Sequence, residues 1–258
     1  MISLIDTHSH IYDEAFDNDI VQVIDRAKEA GLTKIILPNV DLLSVDRLFA
    51  LAEKDKMFYP LMGLHPTSVT KNVEQDLKKI KTFFDNHNIY GIGEIGLDFY
   101  WDREFEQEQI YAFEEQLKWS EEKNNMPIVI HCRKAFDTIL ASLKKNNRKQ
   151  YKGIFHCFSG DKRQAQTLID MGFYLGIGGV LTFKNAHVAD IVRDFDLNNF
   201  VLETDSPYLA PVPFRGKRNE SSYVRIVAEK IAEIKNIPLE KVAEITTINA
   251  EKLLSKTN

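Results

Sequence analysis

Short apolar runs alternate with amphipathic stretches through almost the whole chain, and this alternation most constrains the fold. The runs are Leu4-Ile5 and residues 34–38, 58–64, 89–95, 128–131, 153–156, 173–177 and 200–202. Each is bounded by turn residues or charges, as buried parallel strands are. The segments between them read as helices. Residues 17–30 place Ile20, Val21, Ile24 and Ala27 at helical spacing and stop at Gly31; residues 104–123 carry Ile110, Phe113, Leu117 and Trp119; residues 161–171 end at Gly172. Residues 220–235 and 239–254 read as two closing helices, with Pro238 suited to a helix start. Eight strands in regular alternation with helices predict a (β/α)₈ TIM barrel, and 258 residues match the ~250 typical of one. No linker or composition shift interrupts the pattern, so residues 1–258 are expected to form a single domain. An open doubly wound sheet would usually show a glycine-rich phosphate turn after its first strand. Here that strand runs into Asp6-Thr7-His8-Ser9-His10.

Bulk properties narrow the setting. Two cysteines, Cys132 and Cys157, make no disulfide framework and suit a reducing compartment. The start lacks a basic segment followed by a long apolar one, and no run approaches the ~20 apolar residues of a membrane span. A cytoplasmic protein with neither a membrane nor an obligate protein partner is expected. The net charge of −5 argues against broad neutralisation of duplex DNA. A nucleic-acid substrate would be held locally.

The chemistry lies where predicted strands end. His8, His10, His65, His131 and His156, five of the seven histidines, fall at or just after such ends. In a barrel those ends face one shared site. His87 and His187 lie near helix termini and read as solvated. Glu94 and Asp205 occupy equivalent strand-end positions. A carboxylate in a crowded barrel mouth needs a cationic partner. Four imidazoles and two carboxylates exceed one tetrahedral ion but suit two. We expect one ion on His8, His10, Glu94 and Asp205, and a second on Glu94, His131 and His156, with Glu94 as the bridge. Imidazoles favour zinc, manganese, cobalt or nickel over magnesium.

Seven motifs then occur in order: Asp6-Thr7-His8-Ser9-His10, Gly63-Leu64-His65-Pro66, Gly93-Glu94-Ile95-Gly96-Leu97-Asp98, His131-Cys132-Arg133, His156-Cys157-Phe158-Ser159-Gly160, Glu203-Thr204-Asp205-Ser206-Pro207-Tyr208-Leu209 and Arg215-Gly216-Lys217-Arg218-Asn219-Glu220. Together they resemble the TatD family of metal-dependent deoxyribonucleases over about residues 4–253. The resemblance implies an amidohydrolase-like barrel, a divalent-metal site on the six residues named above, activity commonly supported by magnesium, and phosphodiester hydrolysis on DNA. The family's last motif is usually followed by proline; Ser221 stands there. That change is expected to loosen a helix start slightly.

The expected reaction is attack of metal-activated water on phosphorus, with Asp205 as ligand and general base, on single strands or strand ends, as a 3′–5′ exonuclease. His65 reads equally as a proton donor or phosphate holder and as a scaffold residue. Arg133 suits a phosphate, but also Glu94 or Asp98. Arg215, Lys217 and Arg218 are expected to contact phosphate. Phe99, Tyr100 and Trp101 suit either base stacking or a hydrophobic lid. Cys132 and Cys157 should alternate to the outer face as core residues. Competing functions are another ester or amide hydrolysis on the same scaffold, such as aminoacyl-tRNA deacylation, and a non-catalytic nucleic-acid-binding barrel.

Overall fold

Leu4–Asp6 (β1) pairs in parallel with Leu32–Leu37 (β2), which pairs with Phe58–Pro60 (β3). A second parallel run joins Ile92–Asp98 (β4), Ile128–Arg133 (β5), Gly153–Phe155 (β6), Phe173–Ile177 (β7) and Phe200–Leu202 (β8) in chain order. Two seams close the ring. At one, Met62 N–H donates to Gly91 O (3.1 Å) and Gly93 N–H to Met62 O (3.2 Å). At the other, Thr7 N–H donates to Leu202 O (2.9 Å), Asp205 N–H to His8 O (2.9 Å) and His10 N–H to Ser206 O (2.7 Å). The computed structural model describes residues 2–101, 103–146, 148 and 150–255.

The helices follow their strands: Ile20–Glu29 (α1), Val45–Ala52 (α2), Val73–Thr82 (α3), Glu106–Glu122 (α4), Phe136–Lys145 (α5), Lys162–Asp170 (α6), Val188–Asp194 (α7), Val224–Lys235 (α8) and Leu239–Leu254 (α9). The expected (β/α)₈ barrel is therefore the fold, and all eight expected strands are present. Gly31 and Gly172 follow their helices at φ +94° and +93°, conformations that cost glycine nothing. Among the described residues no helix is long and apolar enough to cross a membrane.

Alternation sorts the core into two layers. Leu4, Ile35, Leu37, Ile95, Ile130, Phe155, Leu175 and Phe200 join the large cluster beneath the helices. Ile5, Ile36, Leu61, Val129, Ile154 and Val201 form a second cluster with Ala250 and Leu253 of α9, inside the lower barrel. Side chains two residues further along β5 and β6 point the same way. Val129 thus leads to His131, and Ile154 to His156.

β4 departs from the sequence reading. It begins at Ile92 and continues past Glu94 to Asp98, whereas the apolar run suggested residues 89–95. Its register against β5 slips between Ile92 and Ile95. A Cβ on Gly93 would meet the inner residues Val129 and Leu61. The slip lets Glu94 face inward as well, while Ile95 and Leu97 join the outer cluster. Gly96, at φ +142°, lies so close to β5 that a Cβ would sit 2.0 Å from His131 O.

Candidate metal centre at the barrel mouth

Glu94 is buried at the middle of the mouth, and its two oxygens face different nitrogens. Oε2 lies 3.1 Å from His8 Nε2 and 3.6 Å from His10 Nε2. Oε1 lies 2.9 Å from His131 Nδ1, 3.4 Å from His65 Nε2 and 3.5 Å from His156 Nε2. Asp205 Oδ1 lies 3.7 Å from His8 Nε2 and 3.6 Å from His10 Nε2, which are themselves 3.1 Å apart. Donors at ~2.1 Å from a tetrahedral ion are roughly 3.4 Å from one another. Several triads of these side chains bring ligand atoms together closely enough to hold an ion: His8, His10 and Glu94; His8, His156 and Asp205; and His65, Glu94 and His131.

Hydrogen bonds behind the His10 and His131 rings orient them. Tyr12 Oη donates to Pro38 O (2.5 Å), so its contact with His10 Nδ1 (3.0 Å) uses the imidazole proton. His10 Nε2 is then a bare lone pair facing other acceptors. Asp98 Oδ2 lies 3.0 Å from His131 Nε2 and Glu94 Oε1 2.9 Å from its Nδ1; burial acts to lower this imidazole, but the two carboxylates outweigh it and raise it. Glu203 Oε1 lies 3.2 Å from His156 Nδ1, off the line of a good hydrogen bond, and accepts the Cys157 N–H at 2.6 Å. Imidazole nitrogens this close to carboxylate oxygens need a proton or a metal cation between them, and the His, Glu and Asp donors gathered here fit a divalent metal. Carboxylates or hydroxyls behind the rings fix metal-binding tautomers.

His65 differs. The Thr67 N–H donates to its Nδ1 (3.1 Å), with Thr67 Oγ1 at 2.7 Å. The ring proton is therefore on Nε2, and Nε2–H points into the mouth as a donor. His65 stands among the ligand nitrogens with the opposite polarity, which the sequence did not distinguish.

Electrostatics follow from burial and crowding. Burial acts to raise the Glu94 carboxyl, but His8, His65 and His156 outweigh it and hold Glu94 well below the usual range. Burial lifts Asp205 to about 6 against the pull of His156 and His10. Burial, then His156, pushes His8 well down. His156 is driven up to about 10, because Glu203 and Glu94 overcome burial. Burial raises Asp6 to about 7, although Thr204, Ser221 and the His8 N–H all donate to it. Among the described residues, His8 Nδ1, His156 Nδ1 and Glu203 Oε2 are buried with no hydrogen-bond partner. Gly176 makes room for Glu203: a Cβ there would sit 2.1 Å from Oε2.

The residues expected further out divide. Arg133 pairs with neither Glu94 nor Asp98; its guanidinium stacks 3.9 Å from the Tyr100 ring centroid and 5.2 Å from that of Trp101. Arg215 stacks over Phe183 (4.4 Å), and Lys217 is exposed on the same loop. Arg218 corrects the expectation of phosphate contact. It forms two 2.7 Å bonds to the Asp19 carboxylate and a third to Ala15 O, and packs on Phe16. Its charge is committed to tying the β8–α8 loop to α1. His87 is also corrected, since it is half-buried and stacks on Phe49 at 3.7 Å. Cys132 packs against the core as expected, but Cys157 lies beyond β6 at φ +47° and lines a cleft. Ser221 does more than loosen a turn: it is fully buried and bonds Ser9 Oγ (3.0 Å), which bonds Ser206 Oγ (2.6 Å). Asp98, Glu203 and Tyr12 were not singled out as ring-orienting residues. Spacing gave a signal for two of them, since Asp98 is four residues from Glu94 and Glu203 two from Asp205.

A family described as TatD related DNase matches residues 5–255. The chain belongs to the TatD family. YabD of Bacillus subtilis, an uncharacterized metal-dependent hydrolase, is 39 % identical over 235 residues, covering 91 % of this chain and 92 % of YabD. YcfH of Escherichia coli, of the same description, is 32 % identical over 239 residues, covering 91 % and 89 %. The crystal structure of YjjV, a TatD homologue from Escherichia coli, superposes with a TM-score of 0.90 at 29 % identity over 98 % of both chains. A TatD family hydrolase from Entamoeba histolytica shares the fold at a TM-score of 0.86 and 21 % identity, over 98 % of both chains. This TatD protein is thus a metal-dependent hydrolase on a metallo-dependent hydrolase TIM barrel.

Proposed function

We propose that this protein is a deoxyribonuclease that releases nucleotides from single-stranded DNA or strand ends, acting 3′ to 5′ with two divalent ions. The observation that carries the reading is the divided carboxylate of Glu94. With one oxygen toward His8 and His10 and the other toward His131 and His156, it is suited to bridge two ions. Asp205 completes the first set of donors.

Ions held there would supply a lowered water pKa and neutralise charge on the phosphoryl oxygens. The chain's own groups do the rest. Asp205 Oδ1 lies 3.7 Å from His8 Nε2 and 3.6 Å from His10 Nε2, and this carboxylate orients a water and accepts its proton. His65 Nε2–H donates to a phosphate oxygen or to the departing oxygen. Asp98 and Tyr12 orient the His131 and His10 imidazoles by hydrogen bonds, and the Glu203 carboxylate lies against His156. Arg215 and Lys217 offer cations to the flanking phosphates.

The test is incubation of the protein with 3′-labelled single-stranded DNA, with and without EDTA. Metal-dependent release of labelled nucleotides is expected. If purified, metal-loaded protein releases none, the nuclease reading fails and other ester or amide hydrolyses take its place.

A further inference from the structure

Beside the metal centre a cleft of about 710 Å³ opens between the loops after β4, β5 and β6. His156 lines it, whereas Asp205 does not. It therefore lies on the side of the centre away from the proposed base. Its volume falls within the ~300–1,000 Å³ of pockets that enclose small organic ligands. Its lining includes the aromatic rings of Phe136, Phe158 and Tyr100.

The opposite character comes from cations. Arg103 and Arg133 both line the cleft and both stack on aromatics of the β4–α4 loop. They are not equivalent. Arg103 is neutralised by Glu106, with contacts of 2.7 and 2.9 Å. Arg133 has no ion pair among the described residues. Stacking on Tyr100 fixes the plane of its guanidinium, and the N–H donors radiate in that plane. Stacked on an aromatic ring and with no ion pair among the described residues, Arg133 is a preorganised anion receptor in a cleft that Asp137 also lines. The neighbouring Lys134 adds a further cation. An aromatic surface next to a cation matches an unstacked nucleotide, with its flat base and its phosphate.

We propose that this cleft receives the nucleotide next to the scissile phosphate, its base among the aromatic rings of the lining and its own phosphate on Arg133. The inference rests on the deoxyribonuclease reading and deepens it.

The experiment compares a dinucleotide, which has one diester, with a trinucleotide carrying one more, using wild type and the R133A and R133K variants. The wild type is expected to prefer the trinucleotide by about tenfold in kcat/KM, through KM. R133A should erase that preference and R133K should restore part of it. Circular dichroism and the thermal midpoint establish that each variant is folded. A wild type indifferent to the added nucleotide, or an R133A that keeps the preference, overturns the subsite while leaving the nuclease reading intact. A wild type that hydrolyses bis(p-nitrophenyl) phosphate but neither oligonucleotide overturns the nuclease reading and the subsite with it.

Discussion

At the bottom of the barrel, Ile5, Ile36, Leu61, Val129, Ile154 and Val201 close on Ala250 and Leu253 of α9. At the top, a few residues along the same strands, imidazoles and carboxylates stand 3–4 Å apart, some without a hydrogen-bond partner. The bottom gains from every contact, because burial of apolar surface is favourable without directional demands. The top costs folding energy until a cation enters, because buried lone pairs and charges are penalised unless paired. Alternation along a strand thus separates an end that stabilises from an end that reacts.

The sharpest way to break this contrast is at Asp205. Asp205→Asn should lower kcat by about 10³-fold or more, the upper range of general acid–base contributions, without lowering the thermal midpoint. An active variant, or one that unfolds, would move Asp205 to the structural side. Leu253→Ala tests the other end. It should cost about 2–5 kcal/mol in denaturant unfolding while leaving kcat/KM at low temperature within a few fold. A collapse of activity in the folded variant would show that the two ends are coupled. Removing metal addresses the top as a whole. EDTA should abolish turnover and lower the thermal midpoint, by an amount reflecting about 2.7 kcal/mol if the ion was at 100 times its Kd. Zinc or manganese should restore both. The β8–α8 loop yields the smallest effects. Arg218→Ala should lose about 1 kcal/mol of stability through its bond to Asp19, whereas Lys217→Ala should leave stability unchanged and raise KM for DNA a few fold. Reversed outcomes would exchange their assignments.

Much of this was legible in the order of residues. The eight strands and the α9 boundaries were visible because buried parallel strands and amphipathic helices imprint their periods on a sequence. Five of the six proposed ligands, all but Glu94, stood out because they lie at or just after strand ends, which a barrel gathers at one face. Three things were hidden for a common reason. Arg218 looks like its neighbours Arg215 and Lys217 until Asp19, 199 residues earlier, is brought against it. His65 looks like the other four histidines until the Thr67 N–H settles its tautomer. Glu94 seemed to end a strand, whereas a slip of register turns it inward from within β4. Each depends on a partner or a backbone geometry that local pattern does not encode.

The seam between β8 and β1 has a consequence for how the protein is made. His8 and His10 emerge from the ribosome early, Asp205 close to the end, and hydrogen bonds from Thr7 and Asp205 join the two ends of the barrel. Synthesis proceeds from the N-terminus, and contacts so distant in sequence form late. A nascent chain therefore carries four imidazoles and Glu94 well before the carboxylate that would act on water. Until β8 is made and this seam closes, the barrel mouth lacks one carboxylate of its candidate metal centre.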